Sequence, residues 1–319
     1  MNSVLVAGAG AWGTALALQA HRAGRQVTLW ARDPARAAEI AATRGNPRLP
    51  GVALPPEIEI VATLRPAGLT VLAVPLQHLR GIASVLPPGG ALLCCAKGIE
   101  SGTLALPLEI LAEAQPGRPA AVLTGPTFAG EIAAGLPAAA VVAGADEVRT
   151  QAVAALATSS FRLYASADAI GAQVGGAAKN VVAIAAGAVI GAGLGENARA
   201  ALVTRGLAEL ARLAVALGGR AETVAGLSGL GDLLLTCTGT ASRNFRFGLA
   251  LGQGQTPGDI LATHAGVVEG VTTAPAMVRR ATQAGASVPV CAAVAAVVGG
   301  RITLEQAMAA LLARPLRDE

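Results

Sequence analysis

Gly8-Ala9-Gly10-Ala11-Trp12-Gly13 is the stretch of sequence that decides the fold. It matches the pattern G-x-G-x-x-G, follows an apolar run at Ser3–Ala7 and precedes a helical pattern at Thr14–Arg22. A strand, this motif and a helix in that order are typical of a dinucleotide site. Gly8 permits the tight turn, Gly10 lets the backbone approach a pyrophosphate, and Gly13 allows the helix to pack closely on the strand. The alternative is a glycine-rich turn that binds no ligand.

Short apolar runs alternate with helical patterns through the first half of the chain. Most of these runs are continuously apolar, which is typical of parallel strands buried on both faces. The predicted strands are Ser3–Ala7, Gln26–Trp30, Glu57–Val61, Thr70–Val74, Ala91–Cys95, Ala120–Leu123, Ala138–Val142 and Phe161–Tyr164, and the helices between them include Thr14–Arg22, Pro34–Thr43, Thr103–Glu113 and Asp146–Thr158. The alternation predicts a doubly wound α/β domain.

The strand signals stop after Asp168, and the second half of the chain has helical patterns. The predicted helices there are Ala178–Ile190, Ala198–Leu217, Thr256–His264, Ala274–Ala284 and Leu304–Leu312. We therefore expect a Rossmann-type α/β nucleotide-binding domain over residues 1–174 and an all-α substrate domain over residues 175–319. No low-complexity linker separates them, so the boundary is predicted to fall within a helix.

The composition excludes several classes of protein. The chain has 319 residues, of which 53% are hydrophobic and 14% charged, with a net charge of +4. It is too apolar to be disordered, and its four cysteines are too few for a disulfide scaffold. The cysteines show no metal-ligand spacing, so no metal ion is expected. Basic residues occur singly or in pairs without interleaved aromatics, so we expect no nucleic-acid partner.

The mean hydropathy of +0.56 raises the question of membrane insertion. Two segments are uncharged, Val181–Gly195 and Ala281–Gly300. The first is shorter than the ~20 residues that a bilayer-spanning helix needs, and the second contains Pro289. We predict buried, close-packed helices or loops and no stable membrane insertion. The N-terminus lacks a signal-peptide pattern, so the expected location is the cytoplasm.

The end of the second predicted strand bears on the choice of nucleotide. Arg32 stands near the position where NAD-preferring sites usually carry a carboxylate for the ribose 2′-hydroxyl. A guanidinium there attracts a 2′-phosphate, which favours NADPH, with NADH as the alternative. Asp33 precedes Pro34 and fits the N-cap of a helix, an arrangement that leaves Arg32 available for the nucleotide.

Hydride transfer to a carbonyl requires a proton donor, and the two lysines are the strongest candidates. Of the 24 lysine and arginine residues, only Lys97 and Lys179 are lysines, and both stand in apolar segments that contain glycine. A buried lysine can release a proton, whereas an arginine cannot. The alternative is two ordinary surface lysines. His21, His78 and His264 are predicted to be surface residues, although His78 follows the fourth strand and could be catalytic.

Another group of candidates lies in the second half of the chain. Asp232 follows a glycine-rich segment and could pair with a lysine, and Arg243 could bind a phosphate or a carboxylate through two hydrogen bonds. The alternatives are that Asp232 caps a helix and that Ser242–Asn244 forms a turn. The loop Thr124–Phe128 follows a predicted strand and could line an anion site or simply turn the chain.

Together these motifs make the chain resemble the bacterial NAD(P)-dependent glycerol-3-phosphate dehydrogenases. The matching segments run in order along essentially the whole chain: Gly8–Leu16, Ala96–Glu100, Gly125–Ala129, Gly175–Val181, Asn197–Gly206, Gly229–Cys237, Ser242–Gly248, Gly252–Gly254 and Val267–Gly270. The resemblance implies a Rossmann-type domain followed by an all-α domain, the 6-phosphogluconate dehydrogenase-like fold. It implies reversible, NAD(P)H-dependent reduction of dihydroxyacetone phosphate to sn-glycerol 3-phosphate, a precursor of phospholipids. The sequence does not indicate the oligomeric state, and a homodimer is the expectation.

The resemblance also implies roles for individual residues. Lys179 matches the family's proton donor or acceptor, and Arg243 matches a residue at the substrate phosphate. The other substrate-site matches are Lys97, Gly125, Thr127, Asn180, Asp232, Thr236, Ser242 and Asn244. The cofactor-site matches are Gly8, Gly10, Ala11, Trp12, Gly13, Arg32, Lys97, Ala129, Arg243, Val267 and Glu269. Many members carry a small polar residue at the place of Ala11, so only a backbone contact is expected there.

Two other functions remain open at this point. One is a sister two-domain dehydrogenase that acts on a hydroxy acid or on ketopantoate. The other is a nucleotide sensor without catalysis. The two lysines and the set Asp232, Arg243 and Asn244 favour a glycerol-3-phosphate dehydrogenase over both of these functions.

Overall fold

The computed structural model describes residues 3–263 and 266–314 of the chain. The chain forms two compact units, which we call the N-terminal and C-terminal units. The N-terminal unit comprises Met1–Lys97 and Ala105–Ala172, and the C-terminal unit comprises Gly98–Leu104 and Gln173–Glu319. The short segment 98–104 joins the C-terminal unit although it interrupts the N-terminal one, which the sequence pattern did not indicate.

The N-terminal unit is built on one large sheet. Its strands and those of a small hairpin are β1 (Ser3–Ala7), β2 (Gln26–Trp30), β3 (Gly45–Asn46), β4 (Leu49–Ala53), β5 (Glu59–Val61), β6 (Leu69–Leu72), β7 (Ala91–Cys94), β8 (Ala120–Thr124), β9 (Ala138–Gly144) and β10 (Phe161–Ser166). The sheet has the order β10-β9-β8-β7-β6-β1-β2-β5, and β3 pairs with β4 alone. Strands β6 and β7 are buried at every residue, as continuous apolar runs in a parallel sheet should be.

Helices make up the remaining regular structure of the described residues. They are α1 (Ala11–Arg22), α2 (Pro34–Thr43), α3 (Leu79–Ser84), α4 (Pro107–Ala114), α5 (Ala129–Ala134), α6 (Asp146–Leu156), α7 (Ala169–Gly191), α8 (Gly195–Ala216), α9 (Ala221–Ala225), α10 (Asp232–Cys237), α11 (Arg243–Gly252), α12 (Pro257–Thr263), α13 (Glu269–Gln283), α14 (Pro289–Val298) and α15 (Leu304–Leu312). All of the regular structure in the described residues of the C-terminal unit is helical. The predicted fold class is confirmed.

The strand register places the ends of the central strands at one edge of the sheet. Ala7 pairs with Trp30 on one side and with Leu72 on the other, and Leu72 pairs with Cys94. These pairs are parallel, so β1, β2, β6 and β7 all end at the same level. The glycine turn and Lys97 therefore both start from the carboxyl edge, where parallel sheets bind their ligands.

Some local features of the N-terminal unit differ from the sequence prediction. Strand β9 runs antiparallel to β8, and the connection between them contains Gly125 and Gly135, whose φ angles are 143° and 75°. The helix predicted over Thr103–Glu113 begins only at Pro107. Leu104 has a left-handed φ of 66°, which interrupts any helix that starts before it.

Helix α7 is longer than predicted and carries Lys179 and Asn180. It begins nine residues earlier than the prediction, at Ala169, because Asp168 caps it by accepting a hydrogen bond from the Gly171 N–H at 2.9 Å. Among the described residues it is the one helix long and apolar enough to cross a membrane, but 78% of its most apolar window is buried inside the structure. A buried core helix accounts for that composition.

Helices α7 and α11 pack unusually closely because each has two glycines one turn apart. A Cβ atom on Gly187 or Gly191 of α7 would overlap a backbone carbonyl of α11. A Cβ atom on Gly248 or Gly252 of α11 would likewise overlap a carbonyl of α7. Such small-residue pairs let two helix backbones approach closely. The contact fixes α11, which begins at Arg243, against the helix that carries Lys179.

We expect Gly248→Ala to lower the free energy of unfolding by about 2 kcal/mol, because the new methyl group must push the two helix backbones apart. Chemical denaturation measures this change. Gly258→Ala in α12 is the matched control, since its Cβ meets only its neighbour Thr256 at 3.9 Å. The control should leave stability equal or slightly raised. Equal stability of Gly248→Ala and the wild type would contradict the close-packing account.

Candidate active site

The glycine turn after β1 has the geometry that the motif predicts. Gly8 has a φ of 122°, and a Cβ there would collide with the Ala73 carbonyl. A Cβ on Gly13 would overlap the Gly8 carbonyl, so α1 packs directly on the turn. A Cβ on Gly10 meets nothing within 4 Å. The turn is therefore closed on the protein side and open at Gly10, where the sequence predicts the approach of a pyrophosphate.

The first turn of α1 presents its backbone without a side-chain cap. Ala11 and Trp12 are its first two residues, Gly10 is the N-cap, and no side chain caps the helix. Uncapped N–H groups at a helix N-terminus favour an anion. At Ala11 the chain offers the backbone and a methyl group, as expected.

A second cluster lies beyond β7 and β8 at the carboxyl edge. The Lys97 ammonium donates to the Gly125 carbonyl oxygen at 3.4 Å, and the Thr127 hydroxyl donates to the same oxygen at 3.2 Å. The Trp12 indole N–H donates to the Cys95 thiol. Burial raises the pKa of that thiol, and the contacts with Trp12 and Lys97 oppose the rise. The structure thus brings three predicted substrate residues together and places Trp12 beside the strand that leads to Lys97.

The segment after β2 matches its predicted geometry. The Asp33 carboxylate accepts a hydrogen bond from the Ala35 N–H at 3.0 Å, so it caps α2. Arg32 is exposed and, within the described part of the chain, forms no ion pair. Asp33 therefore caps α2 while the Arg32 guanidinium stays available for a nucleotide, as the sequence predicts.

Lys179 and Asp232 form a buried ion pair in the C-terminal unit. The Asp232 side chain is fully buried, and the Lys179 side chain is 12% exposed. The Thr236 hydroxyl donates to the Asp232 backbone carbonyl at 2.6 Å and lies 3.5 Å from the Asp232 carboxylate. Buried charges in proteins are normally paired, and Lys179 is the counter-ion of Asp232 here. The pair predicted as one alternative for Asp232 is confirmed.

A rare helical turn brings Asp232 to Lys179. Residues Leu227–Gly231 form a π-helical turn, in which the Gly231 N–H donates to the Gly226 carbonyl at 3.1 Å. The α7 backbone approaches this turn closely at Gly175, where a Cβ would lie 2.6 Å from the Ser228 carbonyl oxygen. Such turns recur at functional sites.

Cys237 lies near the ion pair and stays neutral. Burial raises the pKa of its thiol to about 12, the nearby Lys179 and Arg199 oppose the rise, and Asp232 adds to it. A thiol with that pKa carries no thiolate at neutral pH, so it does not compete with Asp232 for the ammonium.

The residues 242–244 form the start of α11 rather than an isolated turn. The Ser242 hydroxyl accepts a hydrogen bond from the Phe245 N–H at 3.2 Å and so caps the helix. Arg243 is the first helical residue and is exposed. A Cβ on Gly266 would lie 2.8 Å from its guanidinium, so that side chain packs on the Gly266 backbone. The turn alternative for this segment is wrong.

Asn244 links α11 to α13 and to α7 through a chain of amide hydrogen bonds. Its Oδ1 accepts from the Gly270 N–H at 2.9 Å, and its Nδ2 donates to the Asn180 Oδ1 at 2.9 Å. A backbone N–H can only donate, so this order of donors and acceptors is fixed. The NH2 group of Asn180, the neighbour of Lys179, is thereby turned away from Asn244 and can donate elsewhere.

The remaining predicted residues lie at helix starts. Ala129 is the first residue of α5, and Glu269 is the first residue of α13. Val267 precedes α13 and is 42% exposed. Among the histidines, His78 is exposed in the short 3₁₀ turn after β6 and His21 lies on α1. His264 lies outside the described residues.

The chain matches both halves of one protein family. The model for the NAD-dependent glycerol-3-phosphate dehydrogenase N-terminus matches residues 3–150, and the model for the C-terminus matches residues 168–309. The chain belongs to the NAD-dependent glycerol-3-phosphate dehydrogenase family. This membership confirms the family resemblance drawn from the motifs.

Individual relatives agree with this membership along their full length. A glycerol-3-phosphate dehydrogenase [NAD(P)+] from Acidiphilium cryptum is 60% identical, over 98% of this chain and 97% of the relative. One of the same name from Gluconobacter oxydans is 51% identical over 98% and 97%. The crystal structure of glycerol-3-phosphate dehydrogenase from Coxiella burnetii has a TM-score of 0.93 at 34% identity, over 98% and 99% of the two chains.

Asn46 and Gly270 belong to the networks around these sites but were not singled out in the sequence. Asn46 stands in Gly45-Asn46-Pro47, which signals only a turn. Gly270 is the last residue of the matched segment Val267–Gly270, but it contributes a hydrogen bond from its backbone N–H. Because nearly every residue type has a backbone N–H, the sequence does not indicate this role. Both act through contacts between segments distant in sequence.

Proposed function

We propose that this member of the family reduces dihydroxyacetone phosphate to sn-glycerol 3-phosphate with NADPH or NADH, in a reversible reaction. The observation that carries the proposal is the buried pair of Lys179 and Asp232, in a chain that matches glycerol-3-phosphate dehydrogenases from end to end. A structural role alone does not require a lysine there, because well-packed apolar residues often stabilise a core as well as a buried ion pair does.

The residues around the glycine turn fit a dinucleotide. Gly10 has open space where a side chain would stand, and the N-terminus of α1 is uncapped, so both suit a pyrophosphate. Ala11, Trp12, Lys97 and Ala129 are the other contacts we propose from the N-terminal unit, and Arg243, Val267 and Glu269 from the C-terminal unit. When bound, the nicotinamide supplies the hydride.

Arg32 would favour NADPH over NADH. Its exposed guanidinium can pair with the 2′-phosphate that distinguishes the two nucleotides. Because Asp33 is engaged in capping α2, its carboxylate is held by the helix N-terminus and opposes the 2′-phosphate less than a free carboxylate would.

Lys179 would supply the proton. As hydride reaches the C2 carbonyl carbon, negative charge develops on the carbonyl oxygen, and the Lys179 ammonium stabilises it and then donates its proton. The product is an alcohol, and the neutral amine regains a proton from solvent. Asp232 would fix the direction of the ammonium through their ion pair, and Thr236 would order Asp232.

Arg243 would bind the substrate phosphate. An exposed guanidinium at the start of α11, beside the N-terminal end of that helix, offers two parallel N–H donors to phosphate oxygens. Such a clamp holds the carbonyl at a fixed distance from the phosphate and so orients it. The remaining substrate-site residues that we propose, as contacts or as supports of contacts, are Lys97, Gly125, Thr127, Asn180, Ser242 and Asn244.

Asn244 should act on the substrate through Asn180. We expect Asn180→Ala and Asn244→Ala each to lower kcat/KM for dihydroxyacetone phosphate by about tenfold, since each removes one polar contact or its support. The double variant should lose little more than either single variant, because both disrupt one hydrogen-bonded chain. Fully additive losses in steady-state assays would show that the two amides act independently.

The test of the function follows NADPH oxidation by absorbance. Purified protein is mixed with dihydroxyacetone phosphate, with unphosphorylated dihydroxyacetone in parallel, and NADH replaces NADPH in a second series. Oxidation that requires the phosphate is the expected result. Nucleotide binding without turnover on the phosphorylated ketone would refute the proposal and favour a sister dehydrogenase or a sensor.

We make four broader proposals from the sequence pattern and the family resemblance together. Residues 1–174 would serve the nucleotide and residues 175–319 the substrate. The enzyme would work in the cytoplasm, supply glycerol phosphate for phospholipid synthesis, and form a homodimer. Light scattering of the purified protein tests the dimer directly.

A further inference from the structure

Asn46 is a buried polar residue outside the proposed contacts, and its side chain holds the glycine turn. It is the second residue of β3 and is 3% exposed. Its Nδ2 donates to the Ala9 carbonyl oxygen at 3.1 Å and to the Thr14 Oγ1 at 2.7 Å. Its Oδ1 accepts from the Arg48 N–H at 3.0 Å. Both N–H groups and the carbonyl of the amide are therefore engaged.

The orientation of this amide is fixed by its partners. The Ala9 carbonyl can only accept, and the Arg48 N–H can only donate, so the NH2 group must face the glycine turn. An aspartate at position 46 has nearly the same shape and could still accept from Arg48. It would turn a carboxylate oxygen toward the Ala9 carbonyl, where two acceptors repel each other.

Holding the Ala9 carbonyl also sets the direction of the next N–H group. The Ala9 C=O and the Gly10 N–H belong to one planar trans peptide and point in opposite directions. Because Asn46 draws the carbonyl toward β3, the Gly10 N–H faces away from Asn46. Gly10 is also the glycine of the turn whose Cβ position is open.

The second hydrogen bond fixes the helix that follows the turn. Thr14 lies in the first turn of α1 and is 1% exposed, and its N–H donates to the Gly10 carbonyl at 2.9 Å. Asn46 thus joins the turn at Ala9 and the helix at Thr14 to the β3–β4 hairpin.

We infer that Asn46 is a positioning residue for the dinucleotide site. Through the Ala9 carbonyl and the Thr14 hydroxyl it holds the backbone N–H groups that would receive the pyrophosphate, without touching the nucleotide itself. The inference rests on the proposed function only in taking an NAD(P) dinucleotide as the ligand. It assigns the β3–β4 hairpin, which the sequence pattern did not predict, a part in cofactor affinity.

Gln19 provides a matched control on α1, the helix that also carries Thr14. It is a buried carboxamide whose Nε2 donates to a backbone carbonyl, that of Leu156, and to a threonine hydroxyl, that of Thr158, both at 2.9 Å. It therefore makes the same kind of contacts as Asn46, but away from the glycine turn. Asn46→Asp and Gln19→Glu each replace a carboxamide with a carboxylate, but only the first does so beside the glycine turn.

The experiment measures the Kd of NADPH by fluorescence titration, together with kcat and the KM for NADPH. We expect Asn46→Asp to raise the Kd and KM by about tenfold or more, the effect of losing one or two hydrogen bonds. At saturating NADPH, kcat should change much less. Gln19→Glu should leave the Kd within about twofold of the wild type, even where it lowers stability to the same extent.

A second pair of variants tests the same network if Asn46→Asp folds poorly. Thr14→Val removes the hydroxyl acceptor and should weaken NADPH binding, whereas Thr14→Ser keeps the hydroxyl and should restore it. Wild-type affinity in both Asn46→Asp and Thr14→Val would overturn the inference, as would an equal loss in Gln19→Glu. A wild type that binds NADPH without reducing dihydroxyacetone phosphate would refute the proposed function alone. A wild type that binds neither nucleotide would overturn both.

Discussion

Replacing Lys179 with alanine should lower kcat by about a thousandfold, because the reaction loses both its proton donor and the positive charge beside the forming alkoxide. The Kd of NADPH should stay close to that of the wild type, since the glycine turn and its helix are unchanged. Lys179→Arg should be nearly as inactive, because an arginine keeps the charge but does not release a proton at neutral pH. Steady-state kinetics and a nucleotide titration on the same samples separate the two effects.

The burial of Asp232, the ion-pair partner of Lys179, requires a control for stability in this experiment. Removing Lys179 alone leaves the Asp232 carboxylate buried without its counter-ion, which costs about 3–5 kcal/mol of stability in comparable pairs. The double variant Lys179→Met with Asp232→Asn removes that unpaired charge and should recover most of the stability. It should not recover activity. Recovery of kcat in the double variant would show that Lys179 serves only the stability of the core.

Arg243→Ala should raise the KM for dihydroxyacetone phosphate by roughly 100-fold, which corresponds to about 3 kcal/mol for a lost guanidinium–phosphate contact. At saturating NADPH, which compensates for the loss of a nucleotide contact by Arg243, activity on unphosphorylated dihydroxyacetone should hardly change, because that ketone has no phosphate to bind. The preference for the phosphorylated substrate is therefore the most specific readout. It should collapse in Arg243→Ala and be only partly restored in Arg243→Lys, which offers a point charge instead of two parallel donors.

Arg246 is the matched control for Arg243. It lies one turn further along α11, is also exposed, and donates to the Thr240 carbonyl. Arg246→Ala removes the same charge from the same helix and should leave the KM near the wild-type value. Equal losses in the two variants would attribute the effect to net charge or helix stability rather than to phosphate binding.

The sequence was most informative where one segment determines its own geometry. The turn from Gly8 to Gly13 needs residues without side chains at defined places, and Asp33 before Pro34 is a local cap, so both could be predicted. The pairing of Lys179 with Asp232 was one of two open alternatives, because the charges are complementary but 53 positions apart. Only the packing of α7 on the π-helical turn decides between them.

The features that could not be predicted depend on contacts between distant segments. Asn46 reaches across 37 positions to Ala9, and its sequence neighbours signal only a turn. The chain from Gly270 through Asn244 to Asn180 needs three helices in place before its donors and acceptors can be assigned. Strand β9, which runs antiparallel to β8, looked like the parallel strands β1, β6 and β7, because all are short apolar runs and strand direction cannot be read from such a run.

The most direct test of the central claim is the fate of the transferred hydride. NADPH labelled with deuterium at the transferable C4 position is mixed with dihydroxyacetone phosphate and the wild-type protein, and the product is examined by NMR and mass spectrometry. We expect sn-glycerol 3-phosphate with one deuterium at C2, and almost none of this product with Lys179→Ala. Unlabelled product, or a label at another carbon, would contradict the proposed hydride transfer.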